Sequence, residues 1–177
     1  MKFAHLADCH IGSWRDPKLK DISAIAFSKA IDKCIEEAVD FILISGDLFN
    51  TSLPRIDNLK TVVSILNQLK KRSIPVYIIA GSHDYSPSGK TMLDVLEAAG
   101  LFINVVKGQE IDGKLKLNFT LDQKTGAKIT GMLGKRYSLE KTYYQNLILE
   151  NLENEPGYKI FLFHSGIDEL KTEDMEH

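Results

Sequence analysis

The 177-residue sequence predicts an α/β fold with an antiparallel part. Three observations carry that prediction. Runs such as Phe41-Ile42-Leu43-Ile44 and residues 74–80 are apolar at successive positions, the pattern of strands buried on both faces in a sheet covered by helices. The segments between them repeat apolar residues at helical spacing. In the second half the pattern changes to two short runs around a turn-rich stretch, which reads as a hairpin.

Residues 2–7 form a short apolar run and a first buried strand. Asp21 stands in the N-cap position of a helix whose stripe is Ile22, Ile25, Ala26, Ile31, Cys34 and Ala38. Phe41–Ile44 is β-branched and apolar, and Gly46 ends it. Residues 56–69 are a second helix with Leu59, Val62, Leu66 and Leu69 on one face. Its basic end, Lys70-Lys71-Arg72, suits the helix dipole and reads as a solvated terminus. Residues 74–80 are a third strand stopped by Gly81, residues 92–99 a short helix with Gly100 at C′, and residues 101–106 a fourth strand. Residues 115–121 and 127–132 flank the turn formers of 122–126 as a hairpin. Residues 139–152 are helical in pattern, Pro156-Gly157 breaks them, and residues 158–163 are another buried strand. No repeat or linker interrupts the chain, so residues 1–177 read as one domain.

The composition is that of a soluble globular chain, 44% apolar and 26% charged. A net charge of −2 gives no global attraction to nucleic acid. Basic residues cluster only locally, and Lys135-Arg136 reads first as a solvated turn. The two cysteines, Cys9 and Cys34, have no disulfide-framework or zinc-ribbon spacing. They fit a reducing compartment, and with no signal peptide and no apolar run of transmembrane length the chain is expected in the cytoplasm, with no membrane partner.

The chemistry gathers where apolar runs end: Asp8-Cys9-His10, Gly46-Asp47 and Gly81-Ser82-His83-Asp84, with His164 after Ile160-Phe161-Leu162-Phe163. Three of five histidines fall in these places, which is enough imidazole for a metal site. Residues two apart on a strand point the same way, so an extended backbone would let Asp8 and His10 chelate one cation. Cys9 would then face the core as a small hydrophobe. Asp47 has two oxygens and could bridge two cations, with Gly46 permitting a close backbone approach. Asp84 could hold the His83 ring in one tautomer. Singly, each cluster has an ordinary explanation as a capped turn or plain turn chemistry. Together they sit at three successive strand ends, where open α/β sheets bind ligands.

Asp8-x-His10, Gly46-Asp47 and Gly81-x-His83-Asp84 resemble, in order and spacing, the first three motifs of the calcineurin-like metallophosphoesterases. The opening Met1-Lys2-Phe3-Ala4-His5-Leu6-Ala7-Asp8 and the Gly46-Asp47-Leu48-Phe49 form are similar to the nuclease subunit of the DNA double-strand-break repair complex, the Mre-eleven/SbcD type. The resemblance implies a mixed β-sheet sandwich flanked by helices, four-layered, and incomplete at the C-terminus. It implies two divalent cations, manganese first, with zinc, iron(II) or magnesium as alternatives. Asp8 and His10 would hold one, Ser82 and His164 the other, and Asp47 both. His83 would assist the leaving oxygen, with Asp84 beside it. DNA would be the substrate, an ATPase of the Rad-fifty/SbcC type the partner, and a homodimer a possible assembly.

The sequence departs from that family twice. Ser82 stands where the family has Asn, and a hydroxyl is the shorter ligand. No G-H or G-H-x-H motif follows His164, and His177, in an acidic tail without a preceding glycine, is not expected to replace it. Either the chain is truncated or it has lost part of its ligand set, so weak activity is expected. Two other readings stay open: a phosphoesterase for a small phosphoester, and a non-catalytic module with an incomplete metal site.

Overall fold

The computed structural model describes residues 1–86, 89–135 and 139–167; Pro87, Ser88, Arg136 and His177 lie outside them. The first half runs β1 (Phe3–Leu6), α1 (Ile22–Glu36), β2 (Phe41–Ser45), α2 (Ile56–Lys71), β3 (Val76–Ile79), α3 (Met92–Ala98) and β4 (Ile103–Asn104). The second half runs β5 (Gly108–Ile111), β6 (Lys114–Leu117), β7 (Thr120–Leu121), β8 (Lys128–Gly131), α4 (Lys141–Gln145), α5 (Glu150–Asn154) and β9 (Lys159–Leu162).

The first four strands form a parallel sheet in the order β1-β2-β3-β4, with Phe3 opposite Phe41, Ile42 opposite Val76 and Tyr77 opposite Ile103. A helix connects each neighbouring pair, as parallel strands require. Every residue of β2 and β3 is buried. Alternation then divides the interior in two. Ile42, Ile44, Val76 and Ile78 face one core with Phe27 and Ile31 of α1, Val62 and Leu66 of α2, and Leu96 of α3. Phe41, Leu43, Tyr77 and Ile79 face a second core with Ala127, Ile129 and Leu162. That second core lies against a three-stranded sheet, β7-β8-β9, in which β8 runs antiparallel to β7 and parallel to β9. On its outer side Phe161 and Phe163 line a groove with Lys141 and Tyr144 of α4. Two sheets are thus packed together and flanked by helices.

Three sequence expectations change. The predicted 115–121 strand splits: Lys114–Leu117 pairs with Gly108–Ile111 in a separate hairpin, and only Thr120–Leu121 pairs with β8. The predicted 139–152 helix breaks into α4 and α5, because Leu147 leaves it to bridge Leu115 and Ile148 N–H donates to the Leu115 carbonyl. Asp21 precedes α1 without a side-chain capping bond; the helix that does carry a capping box is α3, through Thr91 and Asp94. Gly100 follows α3 with φ +66°, as a C′ glycine should. Cys9 and Cys34 are free, as their spacing suggested.

A buried polar contact pins the second sheet to the first. Tyr77 Oη donates to Asp122 Oδ1 at 2.8 Å, and Asp122 Oδ2 accepts from the Thr125 amide and hydroxyl across the turn. Burial, then the Asp122 carboxylate, push the Tyr77 phenol well above its usual pKa. Tyr77→Phe should cost about 1–3 kcal/mol in urea unfolding, since it leaves a buried carboxylate oxygen without its donor. A loss of only a few tenths would mean that water replaces the phenol.

Candidate metal centre

The predicted ligands converge, but not by strand alternation. The chain leaves extended geometry after Leu6, and Asp8 and His10 adopt left-handed conformations with φ of 53° and 42°. Asp47 does the same at 53°, behind Gly46 at 90°. Non-glycine residues with positive φ are costly, and their concentration here marks a backbone held by its surroundings. The loop after β1 tracks the loop after β2: the amides of Asp8, His10 and Ile11 donate to the carbonyls of Gly46, Asp47 and Leu48 at 3.2, 2.9 and 3.0 Å. That ladder, not a two-residue repeat, brings Asp8 and His10 to Asp47. Cys9 packs against the first core, and its thiol is pushed up to about 12, by burial first and then by Asp84 and Asp8.

Asp47 is 3% exposed and central. Its Oδ2 is 3.5 Å from His10 Nε2 and 3.5 Å from His164 Nε2, while Oδ1 accepts the His83 amide at 2.9 Å. Burial pushes Asp47 up, but His164 and the His83 amide outweigh it and hold the carboxylate below its usual pKa. His10 Nε2 is also 3.7 Å from Asp8 Oδ1. Two sets of ligand atoms each lie within 4.8 Å of one another: His10, Asp47 and His83, and Asp8, Asp47 and His164. Asp47 belongs to both. These groupings cut across the expected pairing of Asp8 with His10, which themselves stand 3.7 Å apart, and His83 stands nearer the ligands than anticipated. Donors around bonds of roughly 2.1 Å sit about 3–3.5 Å apart, close to the separations here. The donors are carboxylate oxygens and imidazole nitrogens, a set for borderline to hard divalent cations. His10 Nδ1 is buried without a hydrogen-bond partner, so this ring is not locked by a protein bond.

The other two rings are locked. His83 Nδ1 lies 2.9 Å from the Asn50 carbonyl and His164 Nδ1 lies 2.8 Å from the Ser45 carbonyl. A carbonyl partner needs a donor, so Nδ1 carries the proton and Nε2 is the nitrogen left for a ligand. His164 is raised to about 9, by Asp47 first and with the Ser45 carbonyl helping, against the effect of burial. A cation bound there competes with that proton.

Asp84 does not orient the His83 ring, contrary to expectation. Its Oδ2 accepts the amides of Leu48 and Gly81 at 3.1 and 3.2 Å, and its Oδ1 the amide of Phe49 at 3.0 Å. It ties the loop after β2 to the loop after β3. Burial pushes its pKa up despite the three amides. Asp84→Ala strands three buried amides and should destabilise the fold by about 3–5 kcal/mol. Thermal and urea unfolding would check this, and a loss below about 1 kcal/mol would remove the bracing role.

Several contributors act in ways the sequence did not signal. The Asn50 and Ser45 carbonyls act through the backbone. Gly81 is needed because a Cβ there would strike the Asp47 carboxylate and amide. Gly134 is needed because a Cβ there would lie 2.6 Å from His164 Cδ2. His5 bonds Ser45 Oγ at 2.7 Å beside the centre. A cleft of about 740 Å³ opens over this centre, with Asp8, Ser82, His164, His5, Lys135 and Glu140 in its lining.

These strand-end motifs and their shared carboxylate form a candidate centre for divalent cations. Residues 1–176 match the calcineurin-like phosphoesterase family, and the chain belongs to it. Within that family it is similar to archaeal proteins named DNA double-strand break repair protein Mre11. Identity is 38% to that of Methanocaldococcus jannaschii, over 99% of this chain and 46% of the relative. It is 28% to that of Archaeoglobus fulgidus, over 99% of this chain and 41% of the relative. It is also 28% to that of Thermoplasma acidophilum, over 97% and 45%. The chain spans less than half the length of these curated relatives.

Proposed function

We propose that this chain is the catalytic phosphodiesterase part of a DNA nuclease of double-strand-break repair. The observation that carries the reading is Asp47, buried and shared by two sets of candidate ligands, of which Asp8 and His164 also line a cleft. Asp8, His10, Asp47, Ser82 and His164 would hold two divalent cations, manganese in the first instance. When bound, such a pair activates water and neutralises charge on a phosphoryl group. Asp47 fixes their common carboxylate, and the carbonyls of Ser45 and Asn50 aim His164 and His83. His83, held edge-to-face against His10 with ring centroids 4.8 Å apart, would protonate the leaving oxygen from Nε2 when the ring is in its doubly protonated form, Nδ1–H staying bonded to the Asn50 carbonyl and the ring left neutral. The names of the relatives point to DNA as substrate. By the resemblance, an ATPase of the Rad-fifty/SbcC type is the partner. Among the described residues no helix is long and apolar enough to cross a membrane.

Hydrolysis of bis(p-nitrophenyl) phosphate and of a labelled DNA duplex, with and without Mn²⁺, tests the reading. Both should be cleaved only with the metal, slowly, since the sequence holds no G-H-x-H motif. Cleavage of a phosphomonoester alone would move the chain to small phosphoesters, and cleavage of DNA in excess chelator would contradict a metal-dependent site.

A further inference from the structure

The sequence reads Lys135-Arg136 first as a solvated turn, and in the structure Lys135 also lines the cleft. Lys135 is the one lysine or arginine among the described residues that line the cleft. Its Nζ lies 4.3 Å from the centroid of the Tyr143 ring and 5.3 Å from that of Tyr85, and donates to Tyr143 Oη at 2.6 Å. Among the described residues no carboxylate is within ion-pair distance of it. Two rings flanking an ammonium restrain a long side chain that would otherwise lose rotamer freedom on binding.

The backbone below is fixed as well. Lys135 N–H donates to Glu140 Oε2 at 3.2 Å, and Glu140, 2% exposed, also accepts from Ser165 Oγ at 2.8 Å. One residue back, Gly134 N–H donates to the Ala80 carbonyl at 2.9 Å, and Gly134 packs on His164. Tyr85 follows Asp84 directly. The cation is therefore tied to the metal centre from both sides. A positive charge with no carboxylate of the described residues in ion-pair range, pre-ordered at the edge of the cleft, suits an anion that enters with the substrate and is not itself cleaved.

We infer that Lys135, held between Tyr85 and Tyr143, grips a backbone phosphate of the nucleic-acid strand next to the phosphate being hydrolysed. This rests on the DNA-directed reading above. Tyr85 and Tyr143 are positioning residues, and Lys135 makes the contact. Such a contact is blind to base sequence and adds to the salt dependence of binding.

The test is fluorescence anisotropy of labelled single-stranded oligonucleotides of two sequences with the 177-residue chain, across a salt series. It is run in chelator and again with Mn²⁺ on a phosphorothioate backbone. Lys135→Met should weaken binding roughly three- to tenfold for both sequences and lower the slope of log K against log salt by about 0.7. Lys135→Arg should keep the slope. Lys29→Met, the same charge change on the exposed face of α1, should leave it unaltered. Tyr143→Phe, which keeps the ring and removes the phenol acceptor, should weaken binding less than Lys135→Met does. An unchanged slope in Lys135→Met, in protein that melts like the parent and binds DNA, overturns the grip and leaves the nuclease reading intact. A parent chain that hydrolyses the small diester yet shows no affinity for either oligonucleotide overturns the DNA reading, and the grip with it.

Discussion

Asp47→Ala should abolish manganese binding in both ligand sets. Asp47 is the residue common to both, and its Oδ2 stands 3.5 Å from an imidazole of each. Removing it takes a carboxylate from each cation and the negative charge from between them. The loss should exceed the roughly 10- to 100-fold that removing an outer hydrogen-bond partner costs a metal site. Asp8→Ala takes an exposed carboxylate from one set only and should leave one weakened site. Calorimetric titration of both variants against the parent decides this. Because the Asp47 carboxylate also accepts the His83 amide, Asp47→Asn is the companion: it keeps the shape, lowers the charge, and should retain at most weak binding. Parent-like manganese affinity in Asp47→Ala would end the shared-ligand account.

His83→Ala should cost about 10²–10⁴ in the rate of diester hydrolysis, the range for a lost general acid. The geometry gives the reason. The Asn50 carbonyl holds Nδ1, so Nε2 is directed without competition. His83 is also close enough to His10 and Asp47 to be taken for a ligand. Two readouts from one preparation separate these roles. As a proton donor, His83 leaves manganese content unchanged when removed, and the defect shrinks on a diester with a good leaving group, which needs little protonation. As a ligand, it takes metal with it, and the defect is the same for every leaving group. The first outcome is expected.

The parallel sheet was legible because β2 from Phe41 to Ile44 and β3 throughout are apolar at successive positions, and a double-faced strand has one ordinary home. The site was legible because its carboxylates and imidazoles stand at strand ends. What the sequence could not carry was conformation in loops. Asp8 and His10 meet Asp47 through left-handed backbone and a ladder of loop amides, where periodicity says nothing. Asp84 next to His83 suggested a side-chain pair, whereas the nearby amide of Gly81 and the distant amides of Leu48 and Phe49 claim the carboxylate. The Asn50 carbonyl, Gly134 and Glu140 matter through close approach, which composition does not record. The break between α4 and α5 has the same origin: the apolar spacing of 139–152 suits a helix, and a tertiary bridge from Leu147 to Leu115 overrides it.

The central claim is that two cations share the Asp47 carboxylate. Manganese titration followed by electron paramagnetic resonance tests it most directly, because two manganese ions joined through a carboxylate are magnetically coupled and isolated ions are not. The account predicts two ions per chain at saturation, with a coupled spectrum in the parent that disappears in Asp47→Asn. One ion per chain, or two ions with the spectrum of isolated manganese, would contradict it.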